Sequence, residues 1–370
     1  MDRIKVCIIS CGMIANKAHI PAYLNREDAF FVSAVSDVSE KAARGTSERF
    51  NIGNWYTNAE EMLIKERPDL VSVCVPNKFH KEYTLLALSH GANVLCEKPV
   101  AYTYGDALEM YSFAKEKGRL LVACQSMRYT PDRTAAHELI EEGVLGNIYY
   151  AELSRIRRRG IPSWGKFHIR SESGGGAFLD IGVHMIDSLL WLMGNPEIES
   201  VSGTACAMIA HQEKQLKSSL SESGALGGVD LGRSYSEKEF DVEDFASGSA
   251  YFKNGARVNF KVAWAVNLPD ETSMKIVGDS AGLSLPSLEL YGSAGSFQSD
   301  FFPKVANDDK YKTKEFGGHF HLIDHLADVM LKGEPLMIRP EETINTAAFI
   351  DLFYRSAELK REVTIGEIKG

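Results

Sequence analysis

Short apolar runs alternate with amphipathic stretches of helical period along the first third of the chain. The runs at 4–10, 30–36, 70–75, 93–96 and 120–123 are brief and largely apolar or β-branched, as strands buried on both faces are. Between them the spacing predicts helices over 15–24, 39–50, 59–66, 78–89 and 104–117. This repeated β-α-β order implies parallel strands joined by crossover helices, a Rossmann-type doubly wound sheet. Beyond Pro131 the rhythm changes to longer strands, at 148–158, 198–209, 246–252, 256–265, 272–277 and 282–285. They predict a second α/β domain with a large, mostly antiparallel open sheet. A helix over 177–193 ends at Gly194-Asn195-Pro196, and helices at 319–331 and 340–356 precede a short strand at 362–365. The polar, Ser- and Gly-rich stretch 211–239 reads as a long connection. The expected organisation is a Rossmann domain at 1–128 and a substrate-binding, oligomer-forming α/β domain at 129–370.

Composition narrows the function classes. The 370 residues are 44% hydrophobic and 25% charged, enough for two cores. A formal net charge of -9 argues against nucleic acid or an anionic membrane surface as partner, and the basic run Arg155-Ile-Arg157-Arg158-Arg159 is too short to reverse this. No apolar run approaches the roughly eighteen residues of a membrane span. The six cysteines, Cys7, Cys11, Cys74, Cys96, Cys124 and Cys206, show no paired CxxC spacing and read as buried thiols. A cytoplasmic location is expected.

The first strand runs into Ser10-Cys11-Gly12-Met13-Ile14-Ala15, the dinucleotide pattern G-x-G-x-x-A with serine in the first glycine position. Gly12 would let the backbone approach a pyrophosphate, while Cys11, Met13 and Ile14 place N–H groups around it at a helix N-terminus. The second strand ends at Asp37, where a carboxylate can accept the ribose hydroxyls. Asp37 alone would also suit a strand-end turn or a helix cap. The pair Val38-Ser39 offers no arginine for a ribose phosphate, so NAD is preferred over NADP. The strand at 70–75 leads to Pro76-Asn77 and His80, expected to flank the dinucleotide at the same sheet edge.

Two further motifs carry chemistry. Glu97-Lys98-Pro99 follows an apolar strand, and Gly174-Gly175-Gly176 precedes Asp180-x-Gly-x-His184-x-x-Asp187, with carboxylate and imidazole four residues apart on one helix face. Joined to the Ser10–Ala15 and Pro76-Asn77 motifs, this combination resembles the Gfo/Idh/MocA family of oxidoreductases over nearly the whole chain. The resemblance implies a Rossmann domain paired with an open-sheet domain, often assembled as dimers or tetramers. It also implies a sugar, glycoside or cyclitol substrate oxidised or reduced at a secondary alcohol, with oxidation at ring carbon three of a glycoside as one form. By the same resemblance Lys98 contacts the substrate oxygen and the nicotinamide, with Glu97 beside it at the cofactor, and His184 is the general acid or base with Asp180 as neighbour. A histidine suits that proton transfer at neutral pH, and a lysine cation suits a developing alkoxide.

Gln125 and Arg128 resemble the segment that leaves the Rossmann domain past the nicotinamide, and are expected at cofactor and substrate respectively. Trp164 and His168 are expected substrate contacts, since aromatic faces stack on sugar rings. His319, His321, Asp324 and His325 invite a metal reading. His321 and His325 share a helix face without a third convincing ligand, so a surface or interface role is expected and no metal. Two other functions stay open: a glycoside-cleaving relative that uses transient oxidation on a retained NAD, and a non-catalytic NAD or sugar sensor.

Overall fold

The computed structural model describes residues 3–162, 165–212, 236–304 and 316–369. Two compact units emerge, and they are not two consecutive stretches of chain. The first comprises Met1–Ala101, Gly105–Tyr129 and Thr313–Ile344; the second comprises Tyr102–Tyr104, Thr130–Lys312 and Asn345–Gly370. The expected single boundary at 128/129 omits this return of 313–344 to the first unit.

In the first unit six parallel strands lie in the order β3-β2-β1-β4-β5-β6. They are β1 (Ile4–Ile9), β2 (Phe30–Ser36), β3 (Asn54–Tyr56), β4 (Leu70–Val73), β5 (Asn93–Cys96) and β6 (Leu121–Ala123). Their apolar side chains are buried because helices cover both faces: Val6, Ile8, Val35, Val71 and Leu95 have no exposed surface. Edge strand β3 was not expected, being too short and too exposed to show a pattern. The crossover helices are α1 (Ile20–Leu24, entered through a π turn at Ala15–His19), α2 (Glu40–Phe50), α3 (Ala59–Glu66), α4 (His80–Ser89) and α5 (Tyr104–Glu116). Local chemistry sets their starts. Ser39 Oγ accepts from Ala42 N at the head of α2, and Asn58 Oδ1 from Glu61 N at the head of α3. The strand order reverses direction between β1 and β4, and ligands of such sheets bind outside the carboxyl ends at that point.

The second unit holds a nine-stranded sheet. Helix α6 (Pro131–Glu141) precedes β7 (Ile148–Ile156), and the short α7 (Arg170–Ser173) leads to a π turn at Phe178–Gly182 and then α8 (Val183–Leu192). The remaining strands are β8 (Ile198–Cys206), β9 (Phe245–Phe252), β10 (Arg257–Ala263), β11 (Glu271–Gly278), β12 (Gly282–Leu285), β13 (Glu289–Ala294) and β14 (Phe297–Phe301). Helix α9 (Gly317–Lys332) belongs to the first unit, and α10 (Pro340–Leu359) is followed by β15 (Val363–Thr364) and α11 (Gly366–Lys369). The sheet order is β14-β13-β12-β11-β7-β10-β9-β8-β15, with β7 and β10 parallel and every other pair antiparallel. Strands β13 and β14 went unrecognised in the sequence because most of their residues are exposed, which erases the alternation a half-buried strand shows. Most of the long connection expected at 211–239 lies outside the described residues. The stretch Arg170–Leu192 is long and apolar enough to cross a membrane by composition, but 89% of its most apolar window is buried inside the protein.

Packing explains the glycine run before α8. A Cβ on Gly174, which sits at φ +84°, would lie 2.4 Å from the Tyr102 ring; one on Gly175 would lie 2.0 Å from Tyr354 Oη, and one on Gly176 2.0 Å from the Glu243 carbonyl oxygen. Exposed Gly45 inside α2 has nothing within 4 Å. We therefore expect opposite outcomes from one substitution type. Gly176→Ala destabilises by about 1–3 kcal/mol through overpacking, whereas Gly45→Ala stabilises by roughly 0.5–1 kcal/mol through lost backbone freedom in the unfolded chain. Thermal unfolding of the two variants checks both signs.

Candidate active site: two sets of residues

The first unit presents one set at the carboxyl ends of its strands. Ser10 adopts φ 77°, the left-handed region for which the dinucleotide pattern uses glycine, so the serine reproduces the glycine turn. Asp37 holds this loop in place. Its Oδ2 accepts from Cys11 N at 2.8 Å and from Ser10 Oγ at 3.3 Å, and its Oδ1 accepts from Ser39 N at 2.9 Å. Gly12 is exposed, and a Cβ there would meet only Ser10 Oγ at 3.8 Å. The chain's own packing thus leaves space above Gly12, on the side where a dinucleotide backbone would pass. Met13, Ile14 and Asn77 are partly exposed and Pro76 is exposed, all near the ends of β1 and β4.

Other expected residues of this set are buried. The Cys11 thiol points inward and burial pushes its pKa up to about 12; with its N–H given to Asp37, Cys11 shapes the loop through its backbone. His80 is 1% exposed, with Nδ1 at 2.6 Å from the Pro99 carbonyl and Nε2 at 3.0 Å from that of Val75. Burial lowers its pKa, and its ring ties the loop after β4 to the loop after β5. Expected at the cofactor, His80 instead shapes the backbone around it. Gln125 is buried with its backbone N–H on Ala123 O. Arg128, expected at the substrate, is fully buried and paired with Glu342 inside the first unit. A guanidinium desolvated this way needs its carboxylate and is not available to a sugar. Lys98 is half-buried, and its N–H donates to the buried Glu97 Oε2 at 3.1 Å.

The second unit carries the other set on the helix from Ala177 through α8. Every residue from 177 to 193 is buried except Asp180 and His184. These two are therefore the helix's only contribution to an accessible surface. Asp180 lies inside the π turn at Phe178–Gly182, a rare geometry found frequently at functional sites. Trp264 Nε1, on a wholly buried indole just past β10, donates to Asp180 Oδ2 at 3.1 Å. Arg155 feels the Asp180 charge, which opposes the downward push of burial on its own pKa. Asp187 is buried and accepts from Thr346 Oγ1 at 3.3 Å, a packing role.

Glu243 anchors the start of this helix. Its buried carboxylate accepts from Gly176 N and Phe178 N at 3.0 Å and from Tyr354 Oη at 2.9 Å. The neighbouring Asp244 accepts from Met208, Ile209 and Ala210 N–H groups. Nothing in the local sequence around Glu243 or Trp264 marks them as partners of a helix so far away in the chain. His168, expected at the substrate, is 1% exposed and its carbonyl accepts from Asp241 N at 3.2 Å. It supports the loop at Asp241 and has no face for a sugar. Trp164 lies outside the described residues.

Comparison with known proteins identifies the family. The model of the oxidoreductase family with an NAD-binding Rossmann fold matches residues 4–124, and the GFO/IDH/MocA C-terminal domain matches residues 134–298. The chain belongs to the Gfo/Idh/MocA family. D-glucoside 3-dehydrogenase of Escherichia coli (strain K12) is 31% identical over 366 residues, 98% of this chain and 97% of that protein. Among solved structures, levoglucosan dehydrogenase in complex with NADH and levoglucosan superposes with a TM-score of 0.80 at 19% identity, covering 98% of this chain and 100% of that one. GenD2 from gentamicin A biosynthesis, in complex with NAD, gives 0.76 at 22% identity over 98% and 97%. This family member is an oxidoreductase with an NAD-binding Rossmann fold. The open approach to Gly12 and the carboxylate of Asp37 fit that cofactor: they would receive its pyrophosphate and its adenine ribose.

Burial pushes the Glu243 carboxyl up from its ordinary value, outweighing the N–H and O–H donors that pull it down. The native protein therefore holds this proton more tightly than the unfolded chain, so the contribution to stability is complete below the ordinary glutamate value near 4.5 and is lost as pH rises through the raised one. We expect Glu243→Gln to flatten the fall of the unfolding temperature with pH above that value, measured by thermal denaturation across a pH series.

Proposed function

We propose that this chain is an NAD-dependent dehydrogenase that oxidises a secondary alcohol of a glycosidic sugar, at ring carbon three. The observation that carries this reading is the pair Asp180 and His184, the sole accessible residues of an otherwise buried helix, in a family member that shares 31% identity with D-glucoside 3-dehydrogenase. His184 would take the hydroxyl proton as the carbinol is oxidised, a transfer suited to an imidazole at neutral pH. Asp180, fixed by the Trp264 indole, would hold the substrate hydroxyls and His184 in register. The Lys98 ammonium would stabilise charge developing on the reacting oxygen. Bound NAD supplies the hydride acceptor. The buried Glu243 and the glycine run would act only through the helix they position.

We also propose a homo-oligomer and a cytoplasmic setting; all six cysteines are free thiols, which supports a reducing compartment.

Glycosides deuterated singly at ring carbons two, three and four test the reading. Only the carbon-three substrate should deliver deuterium to NAD and show a primary isotope effect; transfer from another carbon sinks the regiochemistry. Release of aglycone with no net NADH would show a cleaving enzyme instead. His184→Ala and Lys98→Ala should each lower kcat by about 10²–10⁴-fold with NAD affinity preserved, and full activity in both would overturn the assigned roles.

A further inference from the structure

Four side chains that could hold a metal ion converge in the core of the first unit, and the chemistry above leaves three of them unused. His19 Nε2 lies 2.9 Å from Glu97 Oε1, His319 Nε2 lies 3.4 Å from the same oxygen, and Cys124 Sγ lies 3.9 Å from His19 Nε2. All four ligand atoms fall within 4.8 Å of one another. His19, Glu97 and Cys124 are buried and His319 is nearly so. They arrive from four places: the π turn before α1, the end of β5, the residue after β6, and the first turn of α9. Ligands 2.0–2.3 Å from a tetrahedral Zn²⁺ stand roughly 3.3–3.8 Å apart, so the shortest pair must open and the wider ones close by less than an ångström or so.

We propose that the first unit binds one zinc-type divalent cation through His19, Glu97, Cys124 and His319. Two imidazoles, a thiolate and a carboxylate form a donor set that zinc favours over magnesium or calcium. With all four positions filled by protein the site is closed, as structural sites are.

The surroundings accommodate both states. His19 Nδ1 lies 3.2 Å from Ser72 Oγ, which lies 2.8 Å from Tyr23 Oη. Without metal, His19 Nε2–H donates to Glu97 and Nδ1 accepts from Ser72. On binding, Nε2 gives up its hydrogen to become a ligand, Nδ1–H donates to Ser72, and the two hydroxyls rotate to pass the hydrogen bond on to Tyr23. The ring's proton changes nitrogen, and the Cys124 thiol loses its proton to solvent. Ser72 thus stands behind His19 as the hydrogen-bond partner that a metal-binding histidine needs on its other ring nitrogen. The sequence placed His321 and His325 on one helix face without a third ligand, and in the structure His325 Nε2 accepts from Met337 N at 3.1 Å. Only His319 points to the cluster, and its partners lie far away in the chain.

The consequence is a link between two distant stretches. A cation here would fasten α9 to the sheet at β5, beside Lys98.

The full-length protein, dialysed against a chelator, is titrated with Co²⁺ and separately with Zn²⁺. We expect one ion per chain, a thiolate-to-cobalt charge-transfer band, and a rise in unfolding temperature with Zn²⁺. Cys124→Ala should abolish the band, and His319→Gln should weaken Zn²⁺ binding on the order of 100-fold while NAD binding and circular dichroism stay as in the wild type. Absence of the band in the wild type overturns the proposal, leaving a hydrogen-bonded cluster; so does a band that survives Cys124→Ala. Should Cys124→Ala fail to fold, retention of one tightly bound Zn²⁺ by folded His319→Gln overturns it equally. None of these readouts uses turnover, so they stand apart from the test of the sugar reaction.

Discussion

A carboxylate at the head of one helix organises the second unit. Glu243 reaches the Gly176 and Phe178 N–H groups, donors that a helix start leaves without partners, and joins them to the Tyr354 hydroxyl. A negative charge at a helix N-terminus also meets the positive end of the peptide dipoles. Burying an acid this deeply costs free energy, which the fixed donors offset only in part. Three consecutive glycines follow from the same contact, because Tyr102, Tyr354 and the Glu243 backbone occupy the space a side chain would need. The helix is thereby held rigidly enough that two polar residues on it can be aimed.

The first unit solves a similar problem with Asp37. Its carboxylate receives the backbone of Cys11 and Ser39, so the loop after β1 and the head of α2 are tied to one side chain. The residue expected to read the cofactor's ribose therefore also shapes the loop that would receive its phosphates. A change at this one acid would disturb both the loop after β1 and the head of α2 at once.

Much of the fold was legible because parallel strands buried on both faces announce themselves as short apolar runs; β2 and β5 match their expected limits. Strands β13 and β14 escaped because exposure removes periodicity. The candidate residues that prove accessible, Gly12, Asp37, Lys98, Asp180 and His184, were singled out through motif order. Burial separated from them what spacing could not: Arg128, His80 and His168 are polar residues in the right neighbourhood whose partners, Glu342, the Pro99 and Val75 carbonyls and the Asp241 backbone, lie elsewhere in the chain. Trp264 and Glu243 act on a helix some distance away in sequence, and no local pattern encodes such a partnership. The same is true of His319, read along its own helix in the sequence but turned in the structure toward Glu97.

The two π turns, at Ala15–His19 and Phe178–Gly182, each hold one residue more than an ordinary helical turn would need. A helix that lost that residue would close into regular α geometry with its flanks nearly in place, because the π turn spreads one rotation over the extra residue. Only the side chains carried by the turn itself would be aimed anew, His19 away from Glu97 and Asp180 away from Trp264. Register, and not only residue identity, is thus part of what selection must preserve in this chain.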